Sequence, residues 1–327
     1  MRILCHFVAA SLLLFGSPAK ADEAADFAQL RALDMRLAGI AYRLTTANAA
    51  LCDRLSPNAG MTIHALGQYG PRLRDSARRV FGFETPVAVE GVIADGPAAR
   101  AGVAAGDSLV AVGGMPLNVQ AGGEASSVAR DEAAAAIDAQ PTGQALQLEL
   151  VRSGVRRSVS IGAIPACRSG FEVTLGTGMQ AQADGEIVQI GAGYFERYAD
   201  EDVAVVVAHE LAHNILHHRE RLTAAGVKTG LAKEFGRNRR LIRVVEDQAD
   251  ALSVYLLYNA GYDPARAVAF WTRERGDVVG ELLRSRTHAS AKARAAAVAA
   301  EIARIRAGAP RPIRPDILST RSLALER

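Results

Sequence analysis

The feature that most constrains the fold of this chain is the segment DEDVAVVVAHELAHNIL at residues 200–216. It lacks glycine and proline, and its apolar residues recur at helical spacing, which predicts a helix with one buried face. The side chains predicted to form that face are Ala204, Val207, Ala208 and Leu211. The same stretch concentrates histidine, because four of the seven histidines of the chain fall between positions 209 and 218.

His209-Glu210-Leu211-Ala212-His213 fits the pattern H-E-x-x-H. On a helix with 3.6 residues per turn, positions i and i+4 lie one turn apart on the same face, so both imidazoles can reach one cation. Glu210 lies at the flank of this pair, where its carboxylate can act on a water molecule instead of binding the metal. Because about one chain in a hundred of this composition contains such a pattern by chance, a further ligand is needed to support it.

A second predicted helix, RVVEDQADALSVYLLY, supplies two acids at helical spacing. Glu246 and Asp250 are i and i+4 among apolar residues, which suggests that both are buried. Buried carboxylates need partners. A catalytic zinc site takes three protein ligands and keeps one position open. We therefore expect Glu246 to be the third ligand and Asp250 to accept a hydrogen bond from a ligand imidazole.

The other histidines are expected to have different roles. His217 continues the helical line of His209, but it lies about 12 Å along the axis, too far to complete the same site. We predict packing or surface roles for His217 and His218, and a partly buried structural role for His64. The basic segment 219–243 is predicted to be a solvated connection near the cleft; a lid or a surface that meets anionic lipid is the alternative.

The first 21 residues have the pattern of a secretory signal. A positive residue precedes a short apolar run at residues 3–15, and Ala19-Lys20-Ala21 is a small-x-small cleavage site. We predict cleavage after Ala21 and a periplasmic or secreted protein, with an uncleaved anchor as the alternative. The first 21 residues hold two of the 38 basic and none of the 35 acidic residues, so the cleaved chain would be nearly neutral. This balance argues against a nucleic-acid-binding protein.

Two cysteines would remain after cleavage, Cys52 and Cys167. Because exported proteins can form disulfides, we expect one bridge between them; two buried thiols are the alternative. The bridge would join the end of a helix predicted over residues 24–55 to the start of the second half of the chain. We therefore predict that the N-terminal helix packs on the second half and that the block between the cysteines is an insertion.

The inserted block, residues 86–164, alternates strands, short helices and tight turns. QALQLELVRSGVRRSVSIGAI places alternating apolar residues around a Ser153-Gly154 turn, which is typical of a β-hairpin. The stretch DGPAARAGVAAGDSLVAVGG closely resembles a PDZ domain of the bacterial, HtrA-like kind. The resemblance implies a groove that takes an extended peptide or a C-terminus by strand addition, with a carboxylate-binding loop near residues 80–85. A small β-domain that only spaces or gates its neighbour is the alternative.

The second half resembles the M48 family of metallopeptidases, which includes the HtpX-like and BepA-like enzymes. The resemblance rests on AHELAH, on E-x-x-A-D at residues 246–250 and on ADGEIVQIGAGYFERYADEDVAVVVAHELAH, and it spans roughly residues 169–297. It implies one Zn2+ per chain, with Glu210 as general base and Asp250 supporting a ligand. The implied zinc ligands are His209, His213 and Glu246. The strand implied to pair with the substrate backbone contains Ile187, Val188, Gln189 and Ile190.

A Thr-His-Pro element of that family corresponds here to Thr287-His288-Ala289-Ser290, where the proline is missing. By resemblance, His288 donates to the oxyanion or closes over the zinc in a resting state. A helix-capping or surface histidine is the alternative.

Together these inferences predict an α+β fold, in which a mainly helical zincin-type (gluzincin) metallopeptidase domain carries an inserted, small β-rich PDZ domain. The predicted segments are a signal (1–21), an N-terminal helical region (22–85), the PDZ domain (86–164), the metallopeptidase domain (168–307) and a C-terminal tail (308–327). No transmembrane helix is predicted in the cleaved chain.

The predicted function is that of an exported zinc endopeptidase acting on unfolded or mis-assembled envelope proteins. The alternative is a PDZ-based binding or chaperone protein with a latent or regulatory zinc site. A zinc ion that only stabilises the fold is disfavoured, because three protein ligands leave a position open.

Overall fold

The computed structural model describes residues 18–120, 122–176, 178–227, 236–273 and 290–325. Most of the predicted signal segment, residues 1–17, and His288 lie outside these ranges. Within them the chain has a mixed α+β fold, and none of the helices described is long and apolar enough to cross a membrane.

The first part of the chain alternates strands with helices. Its elements are α1 (Pro18–Ala47), β1 (Leu55–Asn58), β2 (Met61–Ala65), α2 (Arg74–Phe81), β3 (Val87–Val92), α3 (Pro97–Arg100), β4 (Ser108–Val112), β5 (Met115–Pro116), α4 (Val128–Asp138), β6 (Leu146–Arg152) and β7 (Val155–Ile161).

The second part is mainly helical. Its elements are β8 (Ile164–Cys167), β9 (Gly170–Thr174), β10 (Ala181–Ala183), β11 (Ile187–Gly191), α5 (Ala192–Arg197), α6 (Asp200–Ile215), α7 (His218–Ala224), α8 (Gly236–Asn259), α9 (Ala265–Arg273), α10 (Ala291–Arg304) and a 3-10 helix (Asp316–Ser322).

Helix α1 ends earlier than the helix predicted over residues 24–55, because its last residue is Ala47. The side chain of Asn48 donates hydrogen bonds to the carbonyl oxygens of Leu44 and Leu256, at 2.9 and 3.0 Å. A side chain that bonds to nearby backbone in this way competes with further helix formation. The buried face of α1 belongs to the same apolar core as α6 and α8, so α1 packs on the second part.

An antiparallel six-stranded sheet forms the inserted block, in the order β2-β3-β4-β6-β7 with β5 on β4. The predicted hairpin is confirmed: β6 and β7 join through Ser153 and Gly154, with φ of 52° and 75°. Positive φ at both positions matches the strand twist that a two-residue turn requires. The sheet begins at Met61 and not at residue 86, so the region predicted as helical over 22–85 also contains a strand of this sheet.

Strand β2 is an edge of this sheet. Among the described residues it pairs with β3 alone, whereas β3 has β2 and β4 as neighbours. Helix α4 lies beside β2, so that strand and helix border a groove. The predicted carboxylate-binding loop, residues 80–85, leads instead into β3, and its Phe81 and Phe83 are buried in an aromatic cluster. That prediction is wrong in place, because β3 has no free edge on which a ligand strand could pair.

Strands β1 and β8 connect the inserted block to the second part. They pair antiparallel, with Leu55 opposite Cys167 and Asn58 opposite Ile164. Cys52 and Cys167 form a disulfide with their Cα atoms 5.4 Å apart. The chain therefore leaves the second part and returns to it at adjacent points.

The core of the second part surrounds α6, which confirms the predicted buried helix. Helix α8 packs along α6, while α9 and α10 pack on each other and α10 also contacts α8. A three-stranded sheet in the order β10-β11-β9 contacts α6 through β10 and β11. The result is a helical layer with a small sheet against its central helix.

The segment predicted as a tail, residues 308–327, folds back onto the second part as far as it is described. Leu318 is buried in the main core. Arg321 donates from Nη2 to the carbonyl oxygen of Leu51 at 2.7 Å. This segment is therefore part of the domain that contains α6.

Candidate metal centre

Helix α6 positions the two histidines of the H-E-x-x-H pattern. Its first turn carries three acidic residues, which the positive end of the helix dipole favours. One of them, Asp202, accepts a hydrogen bond from Arg266 at 2.9 Å. His209 and Glu210 lie deep in the core, at 4% and 5% exposure. The helix therefore presents its functional side chains inside the protein.

The structure brings His209, His213 and Glu246 together. The two Nε2 atoms lie 3.2 Å apart. Nε2 of His209 lies 3.2 Å from Glu246 Oε2, and Nε2 of His213 lies 3.8 Å from Glu246 Oε1. One ligand atom from each residue lies within 4.8 Å of the others. The three predicted ligands thus converge on one point between α6 and α8.

This arrangement fits a zinc ion. Two nitrogens that bind one zinc tetrahedrally, each at about 2.0 Å, lie about 3.3 Å apart, close to the spacing of the two imidazoles. Two imidazoles and a carboxylate are also donors that zinc accepts at catalytic sites. The side chains of His213 and Glu246 keep 13% and 14% of their surface exposed, so the cluster can be reached from one side.

Asp250, one turn after Glu246 on α8, fixes the orientation of His209. Its Oδ1 lies 2.9 Å from Nδ1 of His209. Both carboxylate oxygens also accept from Arg294 of α10, at 2.8 and 2.5 Å. The Arg294 guanidinium lies 3.6 Å from the ring centroid of Trp271 on α9. Because Asp250 accepts the hydrogen of Nδ1, the neutral form of the His209 ring would carry its lone pair on Nε2, as a metal ligand requires.

The electrostatics of the pocket favour a positive charge at the cluster. Burial opposes charge on His209, but hydrogen bonds to Asp250 and Glu246 outweigh burial and raise its pKa to about 10. Burial raises the pKa of Glu210 to about 7. Burial also acts to raise the pKa of Asp250, but Arg294 and His209 outweigh it and lower that pKa to about 2. Asp250 is therefore ionised, and Glu210 titrates near neutral pH.

The two histidines that follow the pattern have different environments. His217 has φ of 55° and links α6 to α7; its ring lies 3.2 Å from Asp53 and 3.6 Å from Glu220. His218 is 1% exposed, and its Nδ1 lies 2.9 Å from Nδ1 of His213. The predicted packing or surface role agrees with the position of His217, whereas His218 contacts a candidate ligand directly.

The strand predicted to pair with substrate is not an edge strand. Val188, Gln189 and Ile190 of β11 pair with β10 on one side and β9 on the other, and Ile187 pairs with β9. Their backbone groups are therefore used within the sheet, which contradicts the prediction for Ile187–Ile190. In this three-stranded sheet the edge strands, among the described residues, are β10 and β9. His288 lies outside the described residues, so its predicted role stays a prediction.

The sequence patterns missed Arg294 and the contact of His218. Arg294 lies outside the H-E-x-x-H and E-x-x-A-D patterns, yet it is 2% exposed and shares a buried helix face with Ala295 and Val298. The signal that could have found it is a basic residue at core spacing in the alanine-rich helix α10. Such a residue needs an anionic partner once it is buried.

No protein-family model matches this chain, and no curated protein matches it. Part of the chain is similar to two solved protease structures. An HtrA-type protease AlgW with decapeptide is 24% identical, and the match covers 34% of this chain and 30% of that one, with a TM-score of 0.25. The serine endoprotease from Yersinia pestis is 24% identical, and the match covers 32% and 30% of the two chains, with a TM-score of 0.19. The chain therefore spans less than a third of the length of either structure.

Proposed function

We propose that this protein is an exported zinc-dependent endopeptidase of the M48-like kind, with a PDZ-like domain that selects or delivers its substrates. The observation that carries the proposal is the convergence of His209, His213 and Glu246, with Glu210 buried beside them. A structural zinc site has four protein ligands, whereas the described residues supply three to this cluster, which is reached from one side.

The residues of the cluster have distinct roles in the proposed reaction. A bound zinc ion would polarise the scissile carbonyl and lower the pKa of a water molecule. Glu210 would take the proton from the attacking water and deliver it to the leaving amine. Its raised pKa, about 7, suits both steps near neutral pH. Asp250 would hold His209 in the tautomer that binds metal.

The sheet of the inserted block supports a second binding function. A cavity of about 1640 Å³ is bordered by residues of β2, α4 and α1, and reaches β9. Since β2 has a free edge, an extended peptide could pair with it and lie along α4. We propose that this groove takes peptide or C-terminal segments of unfolded or mis-assembled proteins.

The proposed location is the periplasm or the extracellular medium. The Cys52–Cys167 disulfide supports it, because such bonds persist in oxidising compartments. The secretory pattern in residues 1–21 points the same way.

Replacing the base tests the proposed reaction. We expect Glu210→Gln to keep one zinc per chain and to lose casein hydrolysis by roughly 10²- to 10⁴-fold. Zinc content is measured by mass spectrometry, and hydrolysis is measured with and without EDTA. Glu201→Gln, an exposed change in the first turn of the same helix, is the matched control and should leave both unchanged. Full hydrolysis by Glu210→Gln or by the zinc-free wild type would overturn the proposal.

A second candidate is a peptide-binding or chaperone protein whose zinc site is latent. It is favoured by one observation: the residues that line the large cavity do not include His209, His213 or Glu246. Binding of denatured protein that is insensitive to EDTA, together with no cleavage by the zinc-loaded wild type, would favour this second candidate.

A further inference from the structure

We propose that His218 is a positioning residue that holds His213 in its metal-binding tautomer, through a buried relay that continues to Gln248 and Arg221. This inference rests on the proposed function, because the relay would prepare His213 to bind zinc. His218 was expected only to pack or to lie at the surface. The structure instead places it directly behind a ligand imidazole.

The relay is a continuous series of hydrogen bonds. Arg221 donates from Nη1 to Gln248 Oε1 at 2.9 Å. The same oxygen lies 3.1 Å from Nε2 of His218. Nδ1 of His218 lies 2.9 Å from Nδ1 of His213. Nε2 of His213, on the opposite side of that ring, faces the cluster at 3.2 Å from Nε2 of His209.

The direction of every proton in this series follows from its first member. A guanidinium only donates, so the Gln248 atom that faces it is the carbonyl oxygen. That oxygen only accepts, so Nε2 of His218 carries the hydrogen. A neutral imidazole has one N–H, which leaves a lone pair on Nδ1 of His218. Nδ1 of His213 must then donate, and its Nε2 is left with the lone pair that a metal ligand requires.

The fold shields the two members of the relay on α7 from water. His218 is 1% exposed and Arg221 is 8% exposed. Both lie on α7, three residues apart, so they point to the same side of that helix. The left-handed backbone of His217 turns the chain between α6 and α7 and brings His218 back toward His213. Arg221 is held in turn by the carbonyl oxygen of Leu323 at 3.0 Å.

The two histidine ligands are consequently supported in different ways. His209 donates to the carboxylate of Asp250, whereas His213 donates to a neutral imidazole. An anionic acceptor increases the basicity of a ligand more than a neutral acceptor does. In the relay, the charge of Arg221 is separated from the ligand by two neutral groups.

The first measurement is the tautomer of His213 in the metal-free protein, read from the side-chain nitrogen shifts of 15N-labelled histidine. We expect Nδ1–H on His213 in the wild type and in His217→Asn. His217 is the matched control because it adjoins His218, and asparagine tolerates its positive φ. We expect His218→Phe to lose this single tautomer, because phenylalanine cannot accept the hydrogen bond. Nε2–H on His213 in the wild type would overturn the proposal.

The second measurement is zinc affinity by competition with a chelator. We expect His218→Phe to bind zinc 10- to 100-fold more weakly, roughly the cost of losing such a supporting group. His218→Asn, whose carbonyl oxygen can replace Nδ1 as acceptor, should recover part of the loss, and His217→Asn should match the wild type. Wild-type affinity in a folded His218→Phe would overturn the proposal.

The experiment still tests the relay if His218→Phe does not fold or if the wild type binds no zinc. Gln248→Met breaks the relay one step farther from the cluster, so it replaces His218→Phe if that variant does not fold, and it should also weaken zinc binding. If the wild type binds no zinc, the proposed function fails, while the tautomer measurement still decides whether the relay exists.

Discussion

The carboxylate of Asp250 binds two buried side chains at once. Its two oxygens serve His209 on one side and the guanidinium of Arg294 on the other, and all three side chains are buried. Arg294 compensates the charge of Asp250, so that the carboxylate can remain ionised without contact with water. The orientation of a candidate ligand and the stability of the core therefore depend on the same ion pair.

Replacing this carboxylate should affect binding and stability together. We expect Asp250→Asn to weaken zinc binding 10- to 100-fold, because the amide supports His209 less well. Arg294 would also lose its counter-charge, which should cost about 3–5 kcal/mol in the free energy of unfolding. Chelator competition and urea denaturation measure the two effects. Asp247→Asn, exposed on the same helix, is the control; equal effects from both variants would refute the assignment.

The sequence predicted the part of this site that local geometry determines. His209, Glu210 and His213 are related by helical spacing alone, and Glu246 and Asp250 by the same spacing on a second helix. The structure places all of them as a set between α6 and α8. The contacts of Arg294 and His218 with the site were not predicted, because they depend on how α10 and α7 are docked, which no local pattern encodes.

At the level of elements, the small sheet offers an edge beside the helix that carries the cluster. Strand β10 contacts α6, and its bonds to β11 include Gly191 N–H to Gln180 O and Asp184 N–H to Ile187 O. Because bonding alternates along an antiparallel pair, Ala181 and Ala183 turn their backbone groups to the free edge. The family resemblance implied a strand at residues 187–190, but only the pairing order of the sheet shows that this strand, β11, is central.

If substrate pairs with this edge, proline at Ala183 should weaken catalysis without removing the metal. Proline deletes the outward N–H, and an edge strand tolerates it. One lost hydrogen bond of about 1 kcal/mol lowers kcat/KM roughly fivefold. Peptide hydrolysis and zinc content are compared with Ala183→Ser, which keeps the N–H. Equal kcat/KM values for the two variants would exclude β10 as the substrate strand.

At the scale of the whole molecule, α1 belongs to both halves. Its C-terminal half is buried with α6 and α8, while Phe27 contacts the rings of Tyr69 and Phe81 in the inserted block. Between these regions, Asp34 of α1 hydrogen-bonds Glu90 of β3. Burial, with the nearby Asp34 charge, raises the pKa of Glu90 to about 8. Two carboxyls thus share the contact between the halves.

This contact should make stability depend on pH. The folded chain holds a proton on Glu90 that the unfolded chain releases near the ordinary glutamate pKa, so stability falls as pH rises toward about 8. The slope for one proton is at most about 1.4 kcal/mol per pH unit. We expect the free energy of unfolding of Glu90→Gln, relative to that of the wild type, to increase from pH 5 to about pH 8 and then to level off, as measured by urea denaturation. Glu149→Gln, exposed on β6, is the control, and parallel pH profiles for Glu90→Gln and wild type would disprove the effect.

The paired strands β1 and β8 have a consequence for how such a chain can change. Asn58 and Ile164 face each other across this ladder, so the chain enters and leaves the roughly hundred residues between them through one pair of antiparallel strands. A different sheet could replace these residues at the same pair of strands without moving α6 or α8. The surface that such an exchange would have to re-cover is the part of α1 around Phe27 and Met35, which now lies against the inserted block. The inserted block and the helices that hold the cluster can therefore diverge independently of each other.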